Sequence, residues 1–254
     1  MPQTLAAGHR LEYAWIEGGA PTLVFLHEGL GSIAQWRDFP QQVVRATGCR
    51  ALVYDRYGYG RSDVLREPRV DADFMHDAAL NELPELLENL AIENPILIGH
   101  SDGASIALIH AGTYLVRGVV TMAAHVYVED FGLQSIGDLN RDFETSGLKT
   151  GLSKYHRNAS KTFHLWADAW LDPAFRDWNI EEYLPRIKSP LLAIQGEGDE
   201  YGSMAQLDAI QRQAGRPCEL LKLPDCGHSP HKDQPEKVLD SVSAFIKKII
   251  GTNP

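Results

Sequence analysis

Three short stretches carry side chains that together could activate a hydroxyl group. Ser101 stands in Gly-His-Ser-Asp-Gly, with Gly99 and Gly103 two residues to either side. A serine hydroxyl is a poor nucleophile until a base takes its proton, and the base needs a third group to orient it. Both are found downstream, with Asp199 in LLAIQGEGDEYG and His228 in LPDCGHSPH. The order Ser101, Asp199, His228 is expected when such residues sit on loops at the carboxyl ends of neighbouring strands. Each partner has rivals, because Glu197 and Glu200 flank the acid and His231 follows the histidine by three positions. Without those partners, the glycine-rich stretch reads as an ordinary turn.

The elements that would position these residues follow from the apolar runs. The run ILI, from Ile96 to Ile98, ends just before Gly99, and helical spacing begins at Ser105. A strand that turns abruptly into a helix strains the residue at the turn, and small neighbours relieve the crowding. Ser101 would then lie at a helix N-terminus, where backbone N–H groups favour developing negative charge. Thr22–Leu26, Ala51–Tyr54, Val119–Met122, Leu191–Ile194 and Glu219–Leu223 read as further strands. Continuous apolar runs of this length suit strands buried on both faces. Helical spacing marks Phe74–Leu90, Ser105–Tyr114 and Glu236–Ile249, with Pro84 expected to kink or break the first. Alternation of this kind predicts an α/β fold, a mostly parallel sheet flanked by helices.

One region breaks the alternation. Residues 126–187 hold no strand-like run but carry helical segments and many aromatic residues, so they are expected to form a helical insert. Residues 1–125 and 188–254 would form the core domain. Trp166 and Trp170 lie one helical turn apart, a spacing that serves core packing as well as substrate contact.

Composition narrows the classes of function. Against 24 lysines and arginines stand 34 aspartates and glutamates, for a formal charge of −10, which opposes attraction to nucleic acid or anionic membranes. The N-terminus lacks a basic stretch followed by a long apolar one, and no apolar run reaches membrane-spanning length, so a cytoplasmic location is expected. Cys49, Cys218 and Cys226 are odd in number and scattered, which fits idle thiols in a reducing compartment. His228 and His231 lack the companions of a metal site, and the glycines of HEGLGS do not form a dinucleotide fingerprint. No metal and no cofactor are expected. The expected partner is a small-molecule substrate, with monomer and homo-oligomer both open.

Taken with FLHEGLGS (Phe25–Ser32) and DRYGYGRS (Asp55–Ser62), the GHSDG stretch resembles the α/β-hydrolase family outside the insert. The resemblance implies Ser101 as nucleophile, His228 as general base and then acid, Asp199 as its orienting carboxylate, and residues 126–187 as a cap. It also implies that the loop after His27 completes an oxyanion hole, which needs two converging N–H donors. Asp102 would supply one and Gly29 the other, with Glu28 as the rival. His-Glu-Gly here departs from the commoner His-Gly, so Glu28 is either a structural residue or a carboxylate in the pocket. The Asp102 side chain has the same two readings, and similar Ser-Asp-Gly elbows occur in valacyclovirase-like members. His27, Glu28, His125, Trp166 and Trp170 are the candidates for substrate contact. Hydrolysis of a small ester, lactone or thioester through an acyl-serine is the leading expectation. Carbon–carbon cleavage of ring-fission products and ligand binding without catalysis are the alternatives.

Overall fold

The computed structural model describes residues 1–66 and 71–251. Eight strands form one sheet: β1 Gln3–Ala6, β2 His9–Ile16, β3 Gly19–Leu26, β4 Cys49–Tyr54, β5 Ile96–His100, β6 Gly118–Met122, β7 Leu191–Gly196 and β8 Cys218–Leu223. Their spatial order is β1-β2-β4-β3-β5-β6-β7-β8. β1, β2 and β4 pair antiparallel, and every pair from β4 through β3 to β8 is parallel. β5, β6 and β7 are buried at every residue, as their unbroken apolar runs require.

The helices are α1 Phe39–Thr47, α2 Phe74–Asp77, α3 Leu83–Asn89, α4 Asp102–Ala111, α5 Asp130–Asp142, α6 Leu148–Leu152, α7 Ala159–Leu171, α8 Met204–Gln213, α9 Pro230–Asp233 and α10 Pro235–Gly251. Side chains alternate across the sheet, so Leu23 and Phe25 of β3 face one layer and Val24 and Leu26 the other. The first layer is closed by Phe39 and Val43 of α1 and Val238, Val242 and Phe245 of α10. The second is closed by Met75 of α2, Leu83 of α3, Ile106 of α4 and Leu207 of α8. Each such side chain, once fully buried, contributes roughly 1.5–3 kcal/mol of transfer free energy.

Pro84 does not break the chain's helical path. Between α2 and α3, Ala78–Glu82 winds as a π-turn, and the Leu83 amide reaches back to the Ala78 carbonyl. Pro84 has no N–H to give Leu80, the residue four positions earlier. Instead the Tyr114 hydroxyl donates to the Leu80 carbonyl at 3.2 Å, and His110 Nδ1 donates to that of Ala79 at 2.9 Å. His110 of α4 and Tyr114 just beyond its end thus satisfy carbonyls that the wider turn leaves open.

Between β6 and β7 the chain holds α5, α6 and α7 and short 3₁₀ turns, with no strand. Its two ends meet where an isolated bridge pairs Tyr127 with Asn179. Phe143 stacks on Phe163 with ring centroids 3.9 Å apart, tying α7 to the end of α5, and Trp170, Phe175 and Trp178 cluster beside them. Among the described residues no helix is long and apolar enough to cross a membrane. The cysteines are free, and burial pushes the thiols of Cys218 and Cys226 up to about 12 and about 11, leaving them protonated.

Candidate active site

Ser101 sits between β5 and α4 with φ 52° and ψ −122°, a backbone conformation that L-residues rarely adopt. The turn is that tight because two backbones pass close by. A Cβ at Gly99 would fall on the Gly103 carbonyl oxygen, and one at Gly103 on the Leu26 carbonyl oxygen. The helix therefore begins at Asp102, three residues before the apolar spacing reveals it.

The serine hydroxyl lies 2.9 Å from Nε2 of His228. On the other side of that ring, Nδ1 lies 2.8 and 3.0 Å from the two carboxylate oxygens of Asp199. A carboxylate at this distance fixes the proton on Nδ1 and leaves Nε2 as an acceptor towards Ser101. Asp199 is itself held by the amides of Tyr201 and Gly202 at 2.9 and 3.2 Å and by the Gln195 side-chain amide at 2.7 Å. Burial alone would raise the Asp199 pKa, but the bond and charge of His228 and the Tyr201 amide hold it below the usual range. Burial would likewise lower that of His228, and Asp199 overrides it and raises the imidazole above its ordinary 6.5. Glu197 and Glu200 are exposed, and His231 lies among Trp36, Phe39 and His100 with both ring nitrogens unpartnered. Burial holds the His231 ring neutral.

The loop after β3 meets this array from the opposite side. A Cβ at Gly29 would lie 2.9 Å from Asp102 Oδ2, which measures how closely the loop approaches the residue after the serine. Neither the Gly29 amide nor the Asp102 amide donates to a protein group among the described residues. His27 is fully buried and does not line the cavity. Its Nδ1 donates to the Glu28 carbonyl at 2.7 Å, and its Nε2 accepts from the Arg56 amide at 3.1 Å. Burial and nearby Arg56 hold its pKa well below the usual value, so a candidate for substrate contact is instead a brace for the loop. Arg56 adds a second donor to the Glu28 carbonyl at 2.9 Å. Asp55 shows what the DRYGYGRS stretch is for. Its carboxylate accepts from the amides of Ile33 and Arg61, both at 2.7 Å, and a Cβ at Gly60 would collide with it.

Glu28 is both structural and in the pocket. The residue lines the cavity, and its carboxylate has Lys232 Nζ at 3.3 Å from Oε1 and His100 Nδ1 at 3.4 Å from Oε2. Burial opposes its ionisation, but His100 and Lys232 outweigh that and hold its pKa well below the usual range. Asp102 accepts from the Trp166 indole at 3.1 Å, and Arg56 Nη2 lies 4.0 Å away. Burial raises the Asp102 pKa despite these neighbours. Trp166 and Trp170 both line the cavity, as does His125, whose Nε2 donates to the Tyr201 carbonyl at 3.1 Å. Burial pushes His125 down to about 4, so its ring is neutral.

The apolar spacing missed the contribution of α5, whose Leu133 and Ile136 stand one turn apart on the cavity wall. It also missed Glu129, which lines the same cavity and accepts from the Ser203 amide and hydroxyl and the Gln206 side chain at 2.6–2.8 Å. The i, i+3 pairing in α5 was the available signal for the first; nothing local marks the second. Among the described residues, no group of three or more His, Cys, Asp or Glu converges as a metal site would.

An open-sheet fold with a strained serine after β5 and a histidine–carboxylate pair on the loops after β7 and β8 defines a class. Residues 23–241 match the Alpha/beta hydrolase family, and the chain belongs to that family. It is a hydrolase enzyme. Similar sequences include a proline iminopeptidase from Saccharolobus solfataricus, 23% identical over 94% of this chain and 88% of the relative. Another is 3-oxoadipate enol-lactonase 1 from Acinetobacter baylyi, 24% identical over 91% of this chain and 90% of the relative. Among solved structures, the fold is shared with MGS-M2, an alpha/beta hydrolase enzyme from a deep-sea metagenome library. That match has a TM-score of 0.75 at 21% identity and covers 100% of this chain and 98% of the other.

Proposed function

We propose that the protein is a serine hydrolase that cleaves a small carboxylic ester, lactone or thioester through an acyl-serine intermediate. The observation that carries this reading is the continuous hydrogen-bonded path from Ser101 Oγ through the His228 ring to Asp199. In the first half-reaction Ser101 Oγ bonds to the substrate carbonyl carbon while its proton passes to His228 Nε2. Asp199 steadies the imidazolium, and the amides of Gly29 and Asp102, with no protein acceptor among the described residues, receive the oxyanion. As the tetrahedral species collapses, the alcohol or thiol leaves with the proton from Nε2. Water then repeats the sequence on the acyl-serine, releasing the carboxylic acid and returning the proton to Ser101. Residues 126–187 act as a cap, bringing Trp166 and Trp170 to the cavity wall.

The relatives lend support at the level of bond class. An enol-lactonase and an esterase are among the similar proteins, and so is a meta-cleavage product hydrolase. The decisive experiment treats the enzyme with a fluorophosphonate and maps the adduct by peptide mass spectrometry, alongside Ser101→Ala. The expected result is labelling at Ser101 and a loss of ester turnover by several orders of magnitude in a folded variant. A folded Ser101→Ala with near wild-type hydrolysis would overturn the assignment. Preference for a ring-fission dienoate over every ester would move the reading to carbon–carbon cleavage.

A further inference from the structure

The cavity beside Ser101 is small, and the acids among its lining residues already have partners, while the Trp170 indole nitrogen and His125 Nδ1, both uncharged, have none among the described residues. Its volume is about 150 Å³, and it is partly open to solvent. Its apolar wall is made of Leu30, Leu133, Ile136, Leu139, Trp166 and Trp170. An apolar protein cavity of about this volume holds one benzene ring. Three acidic residues are also part of the lining, Glu28, Asp102 and Glu129. Each is engaged by the protein: Glu28 by Lys232 and His100, Asp102 by the Trp166 indole, and Glu129 by Ser203 and Gln206.

We propose that the acyl group held at Ser101 is uncharged, apolar and about the size of a single six-membered ring, such as a benzoyl or a five- to six-carbon aliphatic acyl group. This rests on the acyl-serine reading above. The acyl group stays attached to Ser101 between the half-reactions while the alcohol departs, so the walled apolar space suits the part that remains. An acyl group with its own carboxylate would meet three acids in the lining. Of the cations beside them, Lys232 pairs with the Glu28 carboxylate, and Arg56 donates to the Glu28 carbonyl and faces the Asp102 carboxylate at 4.0 Å. An acyl group with an ammonium would have to leave water for a site whose acids already hold donors, and an ion moved into such a site without a fresh partner is costly. A neutral ring or short chain meets neither penalty and gains from burying its surface.

The test is a series of p-nitrophenyl esters: acetate, butyrate, hexanoate, benzoate, decanoate and laurate, together with a glutarate half-ester and a β-alanine ester. Up to the cavity limit each added carbon is expected to raise kcat/KM about fourfold. The maximum should fall at hexanoate or benzoate, with decanoate and laurate at least tenfold lower and the two charged esters at least a hundredfold lower. Leu139→Ala removes about three carbons' worth of wall and should move the maximum towards longer chains. A maximum at decanoate or beyond, or a charged ester among the best substrates, would overturn the inference, and so would a profile without a maximum. The wild-type series decides the matter even if Leu139→Ala does not fold. Fluorophosphonate labelling of the same preparation separates the two levels. Absent labelling with absent turnover removes the acyl-serine reading itself, whereas labelling with the wrong acyl profile removes only the size and charge inference.

Discussion

Asp199 is buried with all its bonds made, while Glu197 and Glu200 on the same loop are exposed, and burial is what separates an orienting acid from its neighbours. Asp199→Asn should lower kcat by about 10⁴ while leaving substrate binding largely intact, and Glu197→Gln and Glu200→Gln should stay within a few-fold of wild type. Because Asp199 raises the pKa of His228, and the base must be neutral, kcat/KM should fall as pH drops through a midpoint above 6.5. Glu28 contributes to the same shift through its charge. Glu28→Gln should therefore move the acid limb of the pH profile downward, and should scale all neutral esters by a similar factor because its carboxylate is held by Lys232 and His100. A reordering of the neutral esters in that variant would show instead that Glu28 contacts the acyl group directly. The candidate triad could be read from sequence because each member sits in a local pattern. The partners of Glu28 could not, since Lys232 lies 204 residues away and only the fold brings them together.

α7 is tied to the rest of the site by a hydrogen bond from the Trp166 indole to Asp102 on the first turn of α4 and by the packing of Trp170 on His125. Trp166→Phe keeps the ring but leaves a buried carboxylate short of a donor, which costs about 1–3 kcal/mol. Urea unfolding should show a loss of that size, and kcat/KM should fall as well if, as proposed, the Asp102 amide receives the oxyanion. Unchanged stability would show that the bond is not made in solution. The same scale shows what sequence pattern can and cannot reveal. β5, β6 and β7 are legible because strands buried on both faces are simply apolar. β1 and β2 are not, because QTLA and HRLEYAWI mix polar and apolar residues on a half-exposed antiparallel edge. α1 is not legible for a related reason, since FPQQVVRAT has Pro40 at its second position and carries its apolar residues in pairs. The π-turn before Pro84 is readable only as a disturbance, because its repair comes from His110 of α4 and from Tyr114 just beyond that helix.

At the scale of the whole molecule, the acids are tuned in opposite directions, and this sets how stability should follow pH. Asp199 and Glu28 are held below their ordinary pKa values, so the stability they add is present near neutrality and lost as pH falls through their folded values. Glu82 runs the other way. It closes the π-turn and is buried, accepting from the Tyr57 amide at 3.0 Å through one oxygen while the other has no partner among the described residues. Burial pushes its pKa from 4.5 up to about 7, against the smaller pull of the Tyr57 amide and Arg56. The folded state thus keeps a proton that the unfolded chain releases above 4.5, so stability is full below that pH and is lost as pH rises through about 7. A shift of that size corresponds to roughly 3 kcal/mol between pH 4.5 and 7.5. Glu82→Gln keeps an oxygen for the Tyr57 amide and removes the titration. Urea unfolding of wild type and variant at pH 5 and pH 8 should show the variant gaining on wild type by roughly 2–4 kcal/mol as pH rises between these values. An identical pH response in both proteins would mean that Glu82 is ionised in the folded state, with water or a cation supplying the partner its second oxygen lacks.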